Sequence, residues 1–150
     1  MATNVVQQGR VSAKLIGRWE QVCQKLTALA EEVPENKFDC RPVPVVRTFA
    51  DVLRHVAFWN GYVADSASGR KGDGTANELP REGYSTKTQI VDALKRSAAE
   101  AADALKENAC GLSPEMAEMA VTFIEHNCEH YGQLVAYARL NQIVPPASRG

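Results

Sequence analysis

Apolar residues recur at steps of three and four along four separate stretches of the chain. In an α-helix, residues three and four apart share one face, so each stretch predicts an amphipathic helix. The first helix is predicted over about 5–32, with an apolar stripe of Val11, Leu15, Trp19, Val22, Leu26 and Leu29. No stretch shows the alternation typical of strands. We therefore predict an all-α fold, a four-helix bundle that forms one domain over residues 1–150.

Helix-start signals divide the rest of the chain into three further helices. Thr48 with Asp51 has the spacing of a capping box, and so does Thr86 with Gln89. Ser113 stands directly before a proline, which favours a helix start. The second helix is predicted to end near 65 and the fourth near 142. The glycine-rich stretch 66–84 is longer than an ordinary helix connection, so we interpret it as a crossover or a functional loop.

The overall composition excludes several classes of function. A net charge of −1 over 150 residues gives no basic surface for nucleic acid or for anionic membranes. The apolar runs are far shorter than the roughly 18 residues that a membrane-spanning helix needs. The N-terminus is too polar for a signal peptide, so we expect a cytoplasmic location. The cysteines show no CxxC spacing and are expected to be buried thiols that contribute to packing: Cys23, Cys40, Cys110 and Cys128.

The histidines carry the clearest indication of chemistry. His126 and His130 lie four residues apart on the apolar face of the fourth helix, so they can bind one ion together. His55 lies between Val52 and Trp59 on the inner face of the second helix. These are the only three histidines in the chain. If the two helices pack together, the three rings can converge on one point.

Three neutral imidazoles predict a divalent metal site with open coordination positions. Zinc is the first choice and nickel the second, because imidazole accepts both metals. The other interpretation is that the rings are hydrogen-bonded core residues without a metal. No carboxylate ligand is evident. Asp51 and Glu129 neighbour the histidines at helical spacing, and each is equally compatible with a solvated or an outer position.

Two segments resemble the DinB-like (DinB/YfiT) proteins. One is RTFADVLRHVAFWNGY, which contains His55, and the other is the C-terminal run from Phe123, which contains His126, His130, the triplet GQL and the pair Pro145-Pro146. The resemblance covers nearly the whole chain in segment order. It implies an up-down-down-up bundle with a divalent metal on the three histidines. Helices two and three are then parallel, and stretch 66–84 is long enough for the crossover, because extended chain covers about 3.3 Å per residue and helix about 1.5 Å.

Characterised relatives in that family include thiol S-transferases and a thiol-dependent isomerase, so the resemblance implies a metal-dependent enzyme that joins a low-molecular-weight thiol to an electrophile. A metal-dependent hydrolase on the same site and a non-enzymatic metal-binding or stress-related bundle are the alternatives. Trp59, Tyr62 and Tyr137 are candidates for the wall of a small-molecule pocket. Candidates for a general acid or base are Tyr62, Tyr137, Asp51 and Glu129, and the sequence does not choose among them.

A homodimer is expected from the family and from the first helix. The apolar positions there exceed one stripe, which suggests a second buried face: Val5, Val11, Leu15, Ile16, Trp19 and Val22.

Overall fold

Four α-helices form the protein in this computed structural model, which describes residues 2–108 and 111–149. They are α1 (Ala2–Glu32), α2 (Phe49–Ala67), α3 (Lys87–Lys106) and α4 (Pro114–Leu140). Single 3₁₀ turns lie at Glu35–Lys37, Arg81–Gly83 and Pro146–Ser148. No strand occurs in the described residues. The predicted all-α four-helix bundle is confirmed.

The helices begin where side chains satisfy their first backbone N–H groups. The Thr48 hydroxyl accepts from the backbone N–H of Asp51, and the Asp51 carboxylate accepts from the backbone N–H of Thr48. Thr86 and Gln89 form the same reciprocal capping box at α3. Ser113 caps α4 by accepting from the backbone N–H of Met116. Each cap supplies an acceptor to N–H groups that no helical carbonyl can reach.

Contacts between side chains give the direction of each helix. Lys106 pairs with Glu20, and Lys95 pairs with Glu31, so α1 and α3 are antiparallel. The amide of Asn127 lies against Cys23, near the middle of both helices.

Further along, Arg149, just after α4, pairs with Glu32 at the end of α1, so α1 and α4 are parallel. Trp59 stacks on Phe123, whereas the Tyr137 hydroxyl reaches the carbonyl of Arg47, so α2 and α4 are antiparallel. The topology is therefore up-down-down-up, with α2 parallel to α3.

The core is filled by the predicted stripes. Trp19 is fully buried, and its indole N–H donates to the carbonyl of Ala98 on α3 at 3.2 Å. The other large side chains without exposed surface include Leu26, Leu29, Phe49, Leu53, Ile90, Leu94, Leu105 and Leu134. Leu15 and Ile16 are half-buried. Val5 and Val11 lie outside the residues whose side chains the structure describes.

The crossover segment, residues 68–86, returns along the side of α2. The backbone N–H of Leu79 donates to the carbonyl of Arg54, whose guanidinium donates to the carbonyl of Tyr84. Two glycines lie directly on aromatic rings: a Cβ at Gly72 would stand 2.6 Å from the Tyr62 ring, and one at Gly74 would stand 2.9 Å from the Trp59 ring. A side chain at either position would push the segment away from α2.

Candidate metal centre

The three histidine rings meet between α2 and α4. The Nε2 atoms of His126 and His55 are 3.0 Å apart. With His130, one ring nitrogen from each residue lies within 4.8 Å of the others. Ring centroids are 4.5 Å apart for His126 and His130, and 4.8 Å apart for His55 and His130. Packing of antiparallel helices thus brings together residues that are far apart in the chain.

The crossover holds the His55 ring. Its Nδ1 lies 2.6 Å from the backbone carbonyl oxygen of Asn77, and a carbonyl can only accept, so Nδ1 carries the proton. The side-chain oxygen of Asn77 accepts from the indole N–H of Trp59 at 3.0 Å. Asn77 has φ +62°, a left-handed conformation that asparagine adopts more easily than most residues. One loop residue therefore fixes both a histidine and the neighbouring indole.

A chain of hydrogen bonds holds the His130 ring. The Tyr137 hydroxyl donates to the carbonyl of Arg47 at 3.0 Å, so its oxygen is left to accept from the amide nitrogen of Gln133 at 2.9 Å. The Gln133 oxygen then faces Nδ1 of His130 at 2.9 Å. Because the chain starts from a carbonyl that can only accept, each donor direction is determined, and Nδ1 of His130 must donate.

Buried amides hold the His126 ring. Its Nδ1 lies 3.2 Å from the side-chain oxygen of Asn127, whose nitrogen donates to the Asn60 oxygen at 3.0 Å. Asn127 and Asn60 have almost no exposed surface. The nitrogen of Asn60 has no hydrogen-bond partner among the described residues. Burying two amides with one unpaired N–H donor lowers the stability of the fold, and the same amides orient the His126 ring.

These contacts favour the same tautomer in all three rings. Each Nδ1 faces an oxygen, which leaves Nε2 with its lone pair as the ligand atom. Two such lone pairs, on His55 and His126, face each other at 3.0 Å. They repel each other unless a cation lies between them. Zinc–nitrogen bonds of about 2.0–2.1 Å in a tetrahedron place donors about 3.3 Å apart, so the set fits a divalent ion with small ring movements.

The protonation of the triad also suits a metal. Burial lowers the pKa of His55 to about 4, against the effect of its bond to Asn77. Burial, followed by the charge of His130, lowers the pKa of His126. Metal binding requires neutral imidazole. His55 is therefore neutral under mildly acidic conditions in which an ordinary histidine is protonated, and the pKa of His126 is shifted in the same direction.

Aromatic rings form one wall of the site. Trp59 stacks on Phe123 at 5.4 Å, and Tyr62 packs against both rings. Phe123 lies 5.7 Å from the His126 ring and Trp59 lies 6.3 Å from the His55 ring, measured between centroids. Phe123 belongs to this wall although it was not among the residues predicted to form it. Tyr137 lies elsewhere, buried beside Gln133.

The candidate acids and bases lie in different surroundings. Asp51 is buried, and its carboxylate binds Arg54, Arg81 and the cap of α2. Burial opposes its ionisation, yet the bonds from Thr48 and Arg54 keep the pKa of Asp51 below its ordinary value. Glu129 is exposed and makes no hydrogen bond or ion pair with the described residues. Neither carboxylate belongs to the group of residues that could hold an ion.

The cysteines differ from the expectation of buried thiols. Cys23 is buried, and burial raises the pKa of its thiol to about 12. Cys40 is half-buried, and Cys128 is exposed. The prediction that Cys128 packs in the interior is wrong: its side chain is exposed, because two residues on from His126 is a rotation of about 200° around α4, away from the histidines. Cys110 lies outside the described residues.

Comparisons with known proteins identify a family. The family model described as the DinB superfamily matches residues 18–134, most of the chain and all three histidines. No curated protein matches the sequence significantly. Within the described residues, no helix is both long enough and apolar enough to cross a membrane.

Proposed function

Since the chain belongs to the DinB superfamily, we propose that it is a metal-dependent enzyme that transfers a small thiol to an electrophile. The three-histidine group is compatible with metal binding. To this we add a small thiol and an electrophile as the substrates, and zinc or nickel as the metal.

One observation carries the proposal. All three rings present Nε2 to a common point, and each Nδ1 is held by an oxygen. Three ligands from the protein leave coordination positions open, as in catalytic rather than structural zinc sites. A cavity of about 640 Å³ is lined by His130 and Gln133, so a small molecule can lie beside the triad. A site that only stores metal needs neither open positions nor a cavity.

A divalent ion in this position would stabilise a thiol as its thiolate, the nucleophilic form. The thiol proton goes to solvent. The sulfur would then form a bond to an electrophilic carbon as the bond from that carbon to its leaving group breaks. A halide would depart with the electron pair, whereas the oxygen of an opened epoxide would stay attached and take a proton from solvent. Trp59 and Phe123 exclude water from one side and offer apolar surface to the electrophile.

The surroundings of the site favour thiol transfer over hydrolysis. Ester or amide hydrolysis is assisted by a side chain that delivers a proton to the leaving group. Tyr137 and Asp51 are engaged in hydrogen bonds away from Nε2, and Glu129 is exposed. Tyr62 lies behind Trp59 and Phe123. A thiolate that displaces a good leaving group requires no such residue.

The test is turnover by the metal-loaded protein. Zinc- and nickel-loaded samples are assayed with a panel of small thiols against aryl halides and epoxides, and separately with esters and amides. We expect thioether formation by the wild type and none by His126→Ala, whereas Glu129→Ala keeps the activity. Ester hydrolysis without any thiol would support the hydrolase instead. Tight metal binding with no turnover in either assay would support a non-enzymatic role.

The proposal includes a homodimer that uses α1. Leu15 and Ile16 keep exposed apolar surface although Trp19 and Val22 fill the core. Size-exclusion chromatography with light scattering measures the mass directly. A clean monomer at micromolar concentration would exclude the dimer.

A further inference from the structure

The cavity that reaches His130 is lined on its far side by charged groups. Its walls come from the loop before α2, the first turn of α2, the crossover and α4. The lining includes Val45, Arg47, Asp51, Glu78, Arg81 and His130. Arg47 and Arg81 are the cations of this wall, and Val45, which is 91% exposed, is an apolar surface at its edge.

Both arginines have N–H donors that their carboxylate partners do not use. Arg47 uses Nε to bind Glu78 at 3.2 Å, and Arg81 uses Nη2 to bind both oxygens of Asp51. Their remaining guanidinium nitrogens make no hydrogen bond to the described residues. A guanidinium presents five N–H donors in a planar fork that matches carboxylates and phosphates. Each arginine is therefore held in place by one carboxylate while part of its fork remains open to the cavity.

The charges around the cavity do not cancel. Asp51 is shared, because the buried guanidinium of Arg54 binds the same carboxylate as Arg81. Three arginines thus stand against two carboxylates, Asp51 and Glu78, which leaves one positive charge before any metal is counted. A divalent ion on the neutral histidines adds two more. Arg47 and Arg81 line the same cavity as His130, so both guanidiniums lie on the side of the bundle from which that histidine is reached.

We propose that Arg47 and Arg81 bind an anionic oxygen group of the substrate, a carboxylate or a phosphate, while another group of the same molecule reaches the histidine triad. This rests on the proposed function, since it assumes a metal-directed substrate. It narrows that substrate to small molecules with a negative charge a few atoms from the reacting group. Positive surroundings attract such a molecule to the site and orient it.

The experiment compares charged and neutral ligands on cobalt-loaded protein, in which a thiolate bound to the ion gives a characteristic absorption band. 3-Mercaptopropionate is titrated against 3-mercaptopropionamide, and 2-mercaptoethyl phosphate against 2-mercaptoethanol. We expect the charged member of at least one pair to bind about tenfold more tightly than its neutral partner, the range expected for a charge-assisted hydrogen bond. The pair with the larger difference identifies carboxylate or phosphate as the preferred group.

Variants assign the difference to the arginines. Arg47→Gln should remove most of the preference for the charged ligand and leave binding of the neutral one unchanged. Arg81→Gln should act in the same direction. Arg139→Gln removes an exposed arginine of α4 outside this cavity and should keep the full preference. Comparing ligand pairs across variants cancels differences in thiol acidity between the ligands.

Three results would overturn the inference. The first is equal affinity for charged and neutral ligands. The second is a preference for the charged ligand that survives in both Arg47→Gln and Arg81→Gln. If no thiol binds cobalt, the thiol proposal fails. The affinity of the monohydroxamate of succinic acid, which is charged, is then compared with that of its amide, which is neutral, and a preference for the charged ligand tests the arginines independently of any thiol. A protein that takes up no cobalt overturns both proposals.

Discussion

The two sides of the bundle differ in the side chains that fill their interior. Between α1 and α3 the interior is apolar, with Trp19 and Leu94 fully buried and the charged pairs left at the surface. Between α2 and α4 the interior contains His55, Asn60 and Asn127. Apolar packing stabilises a fold, whereas buried polar groups mainly orient each other and are costly when a partner is missing. The comparison suggests that α1–α3 supplies stability and α2–α4 supplies the site.

The sharpest test removes one member of the triad. His55→Ala should reduce metal affinity more than roughly 100-fold, beyond the typical loss for an outer partner of a ligand. The metal-free protein should also lose some stability, because removal of the ring leaves the Asn77 carbonyl without its hydrogen bond. A competition titration with a chromophoric chelator measures the affinity, and Glu129→Ala is the control. Unchanged affinity in His55→Ala would remove the basis for a three-histidine site.

A second substitution tests the apolar side of the bundle, between α1 and α3. Leu94→Ala should lower the free energy of unfolding by about 2–5 kcal/mol, because Leu94 is fully buried and the cavity closes only in part. Metal affinity of the folded protein should be unchanged. Denaturant unfolding gives the first quantity, and the chelator titration gives the second. Leu140→Ala, at a 67% exposed position, should cost under about 0.5 kcal/mol. A large loss of metal affinity in Leu94→Ala would show that the halves are coupled.

A smaller effect on the site is expected at Gln133. Gln133→Leu removes the acceptor that holds Nδ1 of His130, and should weaken metal binding about 10–100-fold. Tyr137→Phe removes only the link from Gln133 to the Arg47 carbonyl, so its loss should be smaller. If Gln133→Leu binds metal as well as the wild type does, the amide does not position the ring.

The buried His55, between α2 and α4, should also make stability depend on pH. The pKa of His55 is about 4 in the fold and about 6.5 when unfolded, so between these values the unfolded chain binds a proton that the folded chain does not. The free energy of unfolding of metal-free protein should therefore fall as the pH is lowered from 6.5 towards 4. Denaturant titrations in chelator at several pH values measure the slope. His55→Gln should flatten it, and an unchanged slope would contradict this origin.

The smallest effect is expected at the exposed pairs of the apolar half. Lys106→Met removes the pair with Glu20, whose members are 49% and 40% exposed, and should change stability by less than about 1 kcal/mol. Denaturant unfolding at low and at high salt checks this. A loss well above that range would mean that surface charge, and not apolar packing, holds α1 against α3.

The sequence predicted the bundle well because its signals are local. Apolar spacing indicated the four helices, and Thr48, Thr86 and Ser113 indicated where three of them begin. The convergence of the histidines could be inferred because each lies on an inner face. The partner of the His55 ring could not, since Asn77 acts through a backbone oxygen that every residue has. The resemblance to the family gave the direction of α3, which the helix pattern alone leaves open.

The signals that were missed are in the crossover. Gly72 and Gly74 are recognisable only when the rings beneath them are known. An asparagine in a glycine-rich segment is compatible with a left-handed residue, and that was the available hint for Asn77. Nothing in the sequence singles out Arg81, because its bond to the buried Asp51 depends on where the returning chain lies.

Because Asn77 holds His55 through a backbone oxygen, the number of residues in the crossover matters as well as their identity. A backbone oxygen survives any substitution, but a deletion or insertion displaces the following chain by about 3.3 Å, the length of one extended residue. Such a shift would separate the oxygen from the imidazole while leaving the helices intact. Related chains with a different loop length would need another acceptor for this ring. The length of the loop therefore indicates whether a related chain can hold its histidine in the same way.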